Sequence, residues 1–448
     1  MKYKASLYNY IDKCENGDLL IFNLLTQNKI KINSSLVPKI GYYFEKNKIY
    51  DIADDDKIAQ KLINNKFIIP EDVDEIKIVL MKHNEVVYGT DTLKIQIMPT
   101  NDCNLRCVYC YETPKPKYMD DLTEKKVLKF IDRKLCYCKQ LRFNWFGGEA
   151  LLCKERVLRM SKEIHEMCKK NRVPMLGSMS TNAYLLDTNT FKALTSYRIR
   201  EYQICVDGMQ EQHNRTRPHY KEQDSFQKIF NNLLEIQKLP FNNFSIGIRC
   251  NITPDLEPYL EEYFEMLAKY FKGDERFYII LQAVRNWGGN RISDSMIPEE
   301  EGKLYLKWYK RVAESGLVSI EASSFAPFVG YCEANSKNGY AIDYNGSLHK
   351  CSIAMYNPNY TEVGVIGKIE DSGREVIDES KLAKWLVPST IPSEQCQHCV
   401  IFPYCMGGHC FYKKNIKNEW SCNKYLLSLI QAHLQILYQK KKIRDIEE

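Results

Sequence analysis

Through the middle of the chain, hydrophobic patterns that are typical of strands alternate with hydrophobic patterns that are typical of helices. Six short runs rich in aliphatic and aromatic residues predict strands, and amphipathic segments between them predict helices. The predicted strands are Leu93–Met98, Leu141–Phe146, Met175–Thr181, Glu201–Val206, Ser245–Asn251 and Phe277–Val284, and the predicted helices are Thr123–Cys138, Lys154–Lys170, Phe226–Lys238 and Glu257–Tyr270. This alternation predicts an α/β fold with a parallel sheet, either open or curved into a partial (β/α)6 barrel.

The first 90 residues carry a different pattern, which predicts a small domain of their own. A turn at Asn16–Asp18 separates two strand-like runs, a third run follows, and capping residues then start two short helices. The predicted strands are Leu7–Ile11, Leu19–Asn23 and Lys29–Ile32, and the helices run from Ser34–Ser35 to about Lys46 and from Asp54–Asp56 to about Asn65. Three strands with short helices are compatible with a winged-helix arrangement.

The net charge of this N-terminal segment indicates which class of partner it binds. Residues 1–92 contain no Arg, and their 13 Lys against 14 Asp plus Glu give a net charge of −1. A winged helix that reads DNA is normally basic. Binding of a peptide, added as a strand to a sheet edge, fits this balance better.

The last part of the chain is rich in loops and cysteines. Regular periodicity is missing until a predicted helix at Lys424–Lys442. A segment with so little core of its own could be stabilised by bound metal. We therefore predict three domains, at residues 1–90, 91–322 and 323–448.

Composition and charge exclude several classes. The 448 residues are 44% hydrophobic and 27% charged, and the net charge of +6 forms no dense Lys/Arg stripe, which argues against nucleic acid. No apolar run approaches the ~20 residues needed to cross a membrane, and no signal peptide is recognised, so we expect a cytoplasmic protein without membrane contact. The 17 cysteines would then be reduced and would include metal ligands.

Three cysteines directly follow the first predicted barrel strand. Cys103, Cys107 and Cys110 have the spacing C-x3-C-x2-C. Three thiolates on one tight loop can hold three irons of a [4Fe–4S] cluster, which leaves the fourth iron open to chelate S-adenosylmethionine and to release a 5′-deoxyadenosyl radical. A zinc site or plain buried cysteines are the alternatives, although structural zinc usually has four ligands in paired C-x2-C spacings.

This loop resembles that of the radical S-adenosylmethionine (radical SAM) enzymes, which are oxidoreductases, and the resemblance covers about residues 93–320. Tyr109 stands before the third cysteine, where the family has an aromatic residue that contacts the adenine. Gly147, Gly148 and Glu149 follow the second strand and resemble the family's Gly-Gly-Glu motif, which binds an amino group. A simple strand-to-helix turn is the alternative at that position.

Further residues of the barrel match the same family. Thr181 and Asn182 end the third strand, where the family often contacts the ribose, although a turn-forming Asn explains the pair nearly as well. The segment Cys205–Gly208, followed by His213 and Arg217, resembles a Ser-x-Asp-Gly…His…Arg pattern. Arg217 is expected to pair with the methionine carboxylate. Cys205 replaces the usual Ser and is a weaker hydrogen-bond donor. Arg249 and Asn251 point to the same pocket.

The remaining cysteines resemble the SPASM extension of radical enzymes that modify peptides and proteins. They read Cys332-x13-Gly346-x4-Cys351, then Cys396-x2-Cys399-x5-Cys405-x4-Cys410, then Cys422. The resemblance implies two auxiliary [4Fe–4S] clusters, hence three clusters in the chain. One would be held by Cys396, Cys399, Cys405 and Cys422, and the other by Cys332, Cys351 and Cys410. His409 is interpreted as an insertion, and zinc is again the alternative.

The second auxiliary cluster has three evident ligands, so its open iron could bind a substrate thiolate. The alternative is that a spare cysteine, an Asp, a Glu or His409 from elsewhere completes the site. The hypothesis of an open iron favours a thioether product among the maturases of ribosomally made peptides, with C–C crosslinking as an alternative. The expected partners are a precursor peptide, bound through its leader by the N-terminal domain, and an electron donor such as flavodoxin or ferredoxin.

Two other functions compete with crosslinking. Sulfatase maturases oxidise Ser or Cys to formylglycine, but they have an Asp where this chain has Ser352, and they lack the N-terminal domain. A zinc or iron–sulfur peptide-binding adaptor would leave Gly147–Glu149, Asp207 and Arg217 without a role.

Overall fold

The structure, a computed structural model, describes residues 1–45, 48–287, 291–319, 333–356, 364–387, 392–408, 410, 422 and 425–446. Its N-terminal strands form two small sheets, with the orders β5-β1-β6 and β18-β4-β3-β2. These strands are β1 (Lys2–Ala5), β2 (Asn9–Lys13), β3 (Leu19–Asn23), β4 (Lys29–Ile32), β5 (Ile49–Asp51), β6 (Ile68–Pro70) and, from the other end of the described chain, β18 (Arg444–Asp445).

A large sheet dominates the rest of the molecule. Six strands lie side by side in chain order, and each pairs in parallel with the next, as a partial (β/α) barrel requires. They are β7 (Thr92–Ile97), β8 (Gln140–Trp145), β9 (Met175–Thr181), β10 (Ile199–Cys205), β11 (Ser245–Ile252) and β12 (Phe277–Ala283). The predicted parallel α/β sheet is confirmed, and each predicted strand lies within about two residues of its observed bounds.

The sheet continues on both sides of these six strands. β13 (Val318–Ser319) pairs with β12, and β14 (Gly339–Ile342) runs parallel to β7. Three antiparallel strands then extend the sheet, namely β15 (Ser347–His349), β16 (Val365–Ile369) and β17 (Glu375–Ile377). The cysteine-rich segment therefore builds part of its structure on the edge of the barrel sheet, because it has few elements of its own to pack.

Helices cover the outer face of the barrel sheet. The described helices are Val37–Ile40, Lys57–Asn64, Glu75–Tyr88, Asp121–Leu135, Lys154–Asn171, Thr188–Ser196, Gln210–Thr216, Ser225–Gln237, Leu260–Phe271, Glu301–Glu314, Ser352–Tyr356, Glu379–Leu386, Glu394–Gln397, Phe402–Cys405 and Tyr425–Gln439. The side chains at alternate positions of β8 pack against the helix layer. Leu141, Phe143 and Trp145 are fully buried, and the Trp145 indole donates a hydrogen bond of 2.9 Å to Ser161 Oγ in the helix Lys154–Asn171.

The N-terminal segment differs in detail from its prediction. The helix expected from Ser34–Ser35 is only the short Val37–Ile40 and a following 3₁₀ turn, and it has no side-chain cap. The Ser34 amide instead donates to Asp18 Oδ1 at 2.9 Å. The second predicted helix is present, and Asp56 caps it by accepting from the Ala59 amide at 2.8 Å.

The N-terminal sheet and the cysteine-rich segment share a hydrophobic core. Leu20 and Phe22 of β3 pack with Ile401, Cys405 and the helix Tyr425–Gln439. The same helix donates two hydrogen bonds of 2.9 Å, from Gln431 and Gln435, to the carboxylate of Asp12. The two ends of the described chain therefore form one packing unit, and the domain boundary at residue 90 stays a prediction.

No helix in the described ranges is both long enough and apolar enough to cross a membrane.

Removal of the Trp145 side chain should destabilise the barrel. Trp145→Ala would leave a cavity against Phe143 and orphan the Ser161 hydroxyl, which together cost about 3–5 kcal/mol. The thermal unfolding midpoint, measured by circular dichroism under anaerobic conditions, should fall by several degrees. Tyr137→Ala serves as the control because Tyr137 is 84% exposed, and it should leave the midpoint unchanged. Equal midpoints for the two variants would contradict this packing.

Candidate active site

The loop that bears Cys103, Cys107 and Cys110 begins just beyond the carboxyl end of β7. Its backbone is fixed by hydrogen bonds to the last residue of the helix Gln210–Thr216 and to the segment that follows it. The Arg106 amide donates to the Pro218 carbonyl at 2.8 Å, and the Val108 amide donates to the Thr216 carbonyl at 2.9 Å. The three cysteines are half-buried, and the Leu105 amide approaches Cys103 Sγ at 3.4 Å. The loop thus has a fixed shape that does not depend on the cysteines alone.

The three thiols influence one another. Burial raises the pKa of Cys103 well above its ordinary value, and the charge of Cys107 raises it further. Burial also raises the pKa of Cys110, to about 12, with the charges of Glu112 and Cys107 adding to the effect. For Cys107 burial again raises the pKa, while the Arg217 guanidinium opposes it. The three thiols are therefore near enough for the charge of Cys107 to affect the pKa of both Cys103 and Cys110.

The donor set of this loop is three thiols, the ligand type that holds iron–sulfur clusters. In the part of the chain that the structure describes, no three His, Cys, Asp or Glu side chains lie close enough together to hold one metal ion. A bound metal deprotonates its thiol ligands outright, which would offset the raised pKa of each cysteine.

The Gly-Gly-Glu segment packs directly on the residue before Cys103. A Cβ atom on Gly148 would lie 2.1 Å from the Asp102 carbonyl oxygen, so a side chain does not fit there. Gly147 has φ +104°, which favours glycine, and the Glu149 amide donates to the same Asp102 carbonyl at 2.8 Å. The end of β8 therefore sets the position of the cluster loop.

Glu149 joins the ends of two strands. The residue is 1% exposed, and its carboxylate accepts hydrogen bonds from the Leu151 amide at 3.0 Å, the Thr181 hydroxyl at 2.8 Å and the Asn182 amide at 2.7 Å. Burial raises the pKa of Glu149, and these hydrogen bonds oppose the rise. Glu149 holds the β9 end in place, and its expected contact with an amino group stays a prediction.

Asn182 continues this connection to the cluster loop. Its Nδ2 donates to Asn104 Oδ1 at 2.7 Å and approaches Cys103 Sγ at 3.8 Å. The structure therefore brings Thr181, Asn182, Glu149 and Cys103 together in one buried network. Asn104 belongs to this network and was not predicted, because an Asn inside a cysteine loop has no distinguishing pattern of its own.

A second network surrounds Tyr109. Its hydroxyl donates a short hydrogen bond to Asp207 and accepts from Arg217 Nη1 at 2.9 Å and Asn251 Nδ2 at 3.1 Å. The Asn251 amide donates to Asp207 Oδ1 at 2.8 Å. Cys205 lies close enough that its charge affects the pKa of Tyr109, although burial is the main cause that raises it.

Some buried polar atoms of this region have no hydrogen-bond partner among the described residues. They include Nε of Arg217, a residue that is 5% exposed, and Nε2 of His213. A buried guanidinium N–H without an acceptor is costly unless a ligand supplies one. An anionic group such as the carboxylate of S-adenosylmethionine would satisfy Arg217. The residues on the loop and around Tyr109 therefore fit the cluster and its nucleotide ligand.

Glu112 is a further buried residue that sequence reasoning missed. It is 6% exposed, and burial raises its pKa to about 8, while its contact with Tyr111 opposes the rise and the charge of Asp343 adds to it. Burial likewise raises the pKa of Asp343 to about 6. The only signal in the sequence is an acidic residue two positions after Cys110, and Asp343 comes from a distant hairpin turn.

The described cysteines of the C-terminal segment fall into two groups. Burial raises the pKa of Cys405 to about 11, and the charges of Cys399 and Cys422 act in the same direction. Cys396 is half-buried in the neighbouring helix Glu394–Gln397. Cys351 and Cys410 instead pack against the barrel core. Cys332 and His409 lie outside the described residues.

Cys351 lies near the loop of Cys103, Cys107 and Cys110. Its charge contributes to the raised pKa of Tyr111, the residue next to Cys110, after burial and the charges of Glu112 and Cys110. Ser352, the residue after Cys351, begins the short helix Ser352–Tyr356.

A parallel partial barrel with a three-cysteine loop at the carboxyl end of its first strand defines a class of iron–sulfur proteins that bind a nucleotide at that loop. Residues 97–271 match the family model described as the radical SAM superfamily. Enzymes of that superfamily use a [4Fe–4S] cluster and S-adenosylmethionine, and the three-cysteine loop lies within the matched segment.

Relatives of known sequence or structure extend the similarity. An uncharacterized protein of Methanocaldococcus jannaschii is 28% identical over 174 residues, which is 38% of this chain but only 57% of that protein. A cysteine-type anaerobic sulfatase-maturating enzyme of Clostridium novyi is 22% identical over 71% of this chain and 87% of its own length. The structure of native anSMEcpe with bound AdoMet and Cp18Cys peptide shares the fold, with a TM-score of 0.56 and 19% identity over 78% of this chain and 97% of that one.

A methyl group on Gly148 should displace the cluster loop. In Gly148→Ala the new Cβ would collide with the Asp102 carbonyl, so we expect loss of iron from this site and at least a tenfold fall in 5′-deoxyadenosine release. Gly41→Ala is the control, because Gly41 has a helical φ of −59° and its Cβ would meet only Val37 at 3.6 Å. Full iron and full activity in Gly148→Ala would contradict the close contact.

Removal of one hydroxyl should weaken nucleotide binding and leave the iron in place. Tyr109→Phe deprives Arg217, Asn251 and Asp207 of a shared partner, so the Arg217 side chain is less well oriented. We expect the dissociation constant for S-adenosylmethionine to rise about tenfold, which corresponds to about 1.4 kcal/mol. Equilibrium dialysis measures the constant, and Tyr137→Phe at the exposed Tyr137 is the control. An unchanged constant with intact iron would remove Tyr109 from the binding site.

Proposed function

We propose that the chain is a radical SAM peptide maturase. In this proposal it abstracts a hydrogen atom from a ribosomally made precursor peptide and closes an intramolecular crosslink, a thioether to a cysteine of the peptide. The observation that carries the proposal is the shared core in which the N-terminal sheet packs on the segment of Cys399 and Cys405. A peptide held by that sheet would start beside the proposed auxiliary clusters and reach towards the barrel.

The proposal assigns the cofactors as follows. Cys103, Cys107 and Cys110 hold the cluster that binds S-adenosylmethionine. The nucleotide lies against the residues grouped around that loop, namely Tyr109, Gly147, Gly148, Glu149, Thr181, Asn182, Cys205 and Arg217. Within this set the Arg217 Nε supplies a donor for the carboxylate, and Glu149 fixes the Asn182 backbone.

The two cysteine groups of the C-terminal segment would hold two auxiliary clusters. Cys396, Cys399, Cys405 and Cys422 form one ligand set, and Cys332, Cys351 and Cys410 form the other. When bound, the auxiliary clusters would supply a site for a substrate thiolate and an acceptor for the electron left over when the C–S bond forms. The nearness of Cys351 to Tyr111 supports a short path between the second set and the radical site.

The thioether reaction balances with these parts. The peptide loses one hydrogen atom from carbon, one proton from the thiol and one electron, and it gains one C–S bond. The proposed partners are the precursor peptide and a low-potential carrier such as flavodoxin or ferredoxin, which supplies the electron for each S-adenosylmethionine.

Formylglycine formation is the second candidate. The similarity to a cysteine-type anaerobic sulfatase-maturating enzyme over 71% of this chain favours it. A peptide accompanies AdoMet in the anSMEcpe structure, so either candidate has a peptide substrate. Ser352 offers no carboxylate beside Cys351, and the shared core with the N-terminal sheet favours crosslinking.

The product and the iron content test the proposal together. The anaerobically reconstituted chain should hold about twelve irons, and the variant with Cys103, Cys107 and Cys110 all changed to Ala should hold about eight. With S-adenosylmethionine, a reductant and a short cysteine-bearing peptide encoded beside the gene, mass spectrometry should find a product two hydrogens lighter, with one thiol protected from alkylation. The triple variant is the control and should form none.

Each other outcome of this experiment identifies a different function. A product that is two hydrogens lighter with every thiol still reactive would exclude the thioether and indicate another crosslink. Loss of the cysteine sulfur would indicate formylglycine. Zinc in place of iron, with no 5′-deoxyadenosine released, would indicate a peptide-binding adaptor.

A further inference from the structure

The outer edge of strand β4 is covered by a segment of the same chain. β18 (Arg444–Asp445) lies along β4 in parallel, with Arg444 opposite Ile30 and Asp445 opposite Lys31. The Ile446 amide donates to the Lys31 carbonyl at 2.9 Å. The N-terminal sheet is therefore completed by residues that follow the helix Tyr425–Gln439.

Two side chains of this segment have specific partners. The Asp445 carboxylate is 2.8 Å from Lys31 Nζ. Ile446 is 5% exposed and packs in the core formed by β3, β4 and the short N-terminal helices. The outer edge of β4 thus offers three features to an extended strand. They are the ammonium group of Lys31, the apolar pocket that Ile446 fills, and backbone groups that form hydrogen bonds with the strand.

The covering segment is short and lies at the surface. Arg444 and Asp445 are exposed, and only two residues form the strand, whereas four residue pairs join β3 to β4. An edge strand with so few contacts opens more easily than the strands inside the sheet.

The helix Tyr425–Gln439, which precedes β18, has hydrogen bonds that do not involve residues 444–446. Gln431 and Gln435 bond to Asp12, and the Tyr438 hydroxyl donates to Asp18 Oδ2 at 3.0 Å. Residues 444–446 could therefore leave β4 without displacing the helix Tyr425–Gln439.

We propose that residues 444–446 are an autoinhibitory strand. They occupy the outer edge of β4 until the leader segment of the precursor peptide, which the N-terminal domain is expected to bind as an added strand, displaces them. The segment that fits is an extended strand with an acidic residue followed directly by an aliphatic residue, as in Asp445–Ile446. The acidic side chain pairs with Lys31, and the aliphatic side chain fills the pocket of Ile446. This inference rests on the proposed function, because it presumes a peptide substrate.

A covering strand that belongs to the same chain acts as a tethered competitor. A short flexible tether gives an effective concentration on the order of millimolar, so an external peptide meets strong competition from residues 444–446. Weakening the internal strand should therefore raise the affinity for an external strand of the same chemistry, whereas the sheet itself stays intact.

The probe is a fluorescein-labelled peptide with the sequence of residues 442–448, Lys-Ile-Arg-Asp-Ile-Glu-Glu. Its binding to the reconstituted full chain is measured by fluorescence anisotropy. In the full-length double variant Asp445→Lys with Ile446→Asp, the internal strand loses its ion pair and its buried side chain. We expect this variant to bind the probe at least tenfold more tightly than the wild type does.

Two further variants, each made in the double variant Asp445→Lys with Ile446→Asp, test whether the probe binds at the outer edge of β4. Lys31→Glu should weaken probe binding at least tenfold, because it repels the acidic residue of the probe. Lys13→Glu is the matched control, since Lys13 is exposed on β2 at the opposite edge of the same sheet, and it should leave binding unchanged. Unlabelled precursor peptide should compete for the probe in the double variant.

The inference is overturned if the double variant, with the thermal midpoint of the wild type, binds the probe no better than the wild type. It is overturned as well if Lys31→Glu and Lys13→Glu have equal effects. Iron content and the release of 5′-deoxyadenosine test the proposed function separately, because they do not depend on the β4 edge. Failure of probe binding in a protein that crosslinks its peptide would reject only the leader surface.

Discussion

The close contact between Gly148 and the Asp102 carbonyl is the constraint on which the candidate site depends. It leaves no room for a side chain and joins the end of β8 to the residue before Cys103. Glu149, the next residue, then carries the connection to the end of β9 through Thr181 and Asn182. Three adjacent strands are thus fixed relative to one cysteine loop.

The barrel could be predicted from the sequence because its signals are local. β9 and β11 are short runs of alternating or continuous apolar residues, and each strand is followed by an amphipathic helix. The helix Thr188–Ser196 was missed, since its Thr and Asn residues have low helix propensity and only the Asp187 cap marks its start. The strands β1 and β5, three or four residues long, were missed because their pairing is decided by partners distant in sequence.

The residues of the candidate site likewise divide into those marked by a local sequence pattern and those brought together only by the fold. The cysteine spacing and the two glycines are local patterns, so they could be recognised directly. The bond between Tyr109 and Asp207, the contact of Asn182 with Asn104 and the nearness of Glu112 to Asp343 depend on how separate loops meet at one end of the sheet. The core shared by β3 and the helix Tyr425–Gln439 also depends on the fold, because no sequence pattern in either segment indicates that the two are in contact.

That shared core also has a consequence for the synthesis of the chain on the ribosome. Asp12 is bonded to Gln435, which is 423 residues later in the sequence. At about 5–20 residues per second, the apolar face of β3 waits about 20–80 s for the helix that covers it. During that time the nascent chain exposes Leu20 and Phe22, so the N-terminal sheet should be the part of this protein that most needs a chaperone while it is being made.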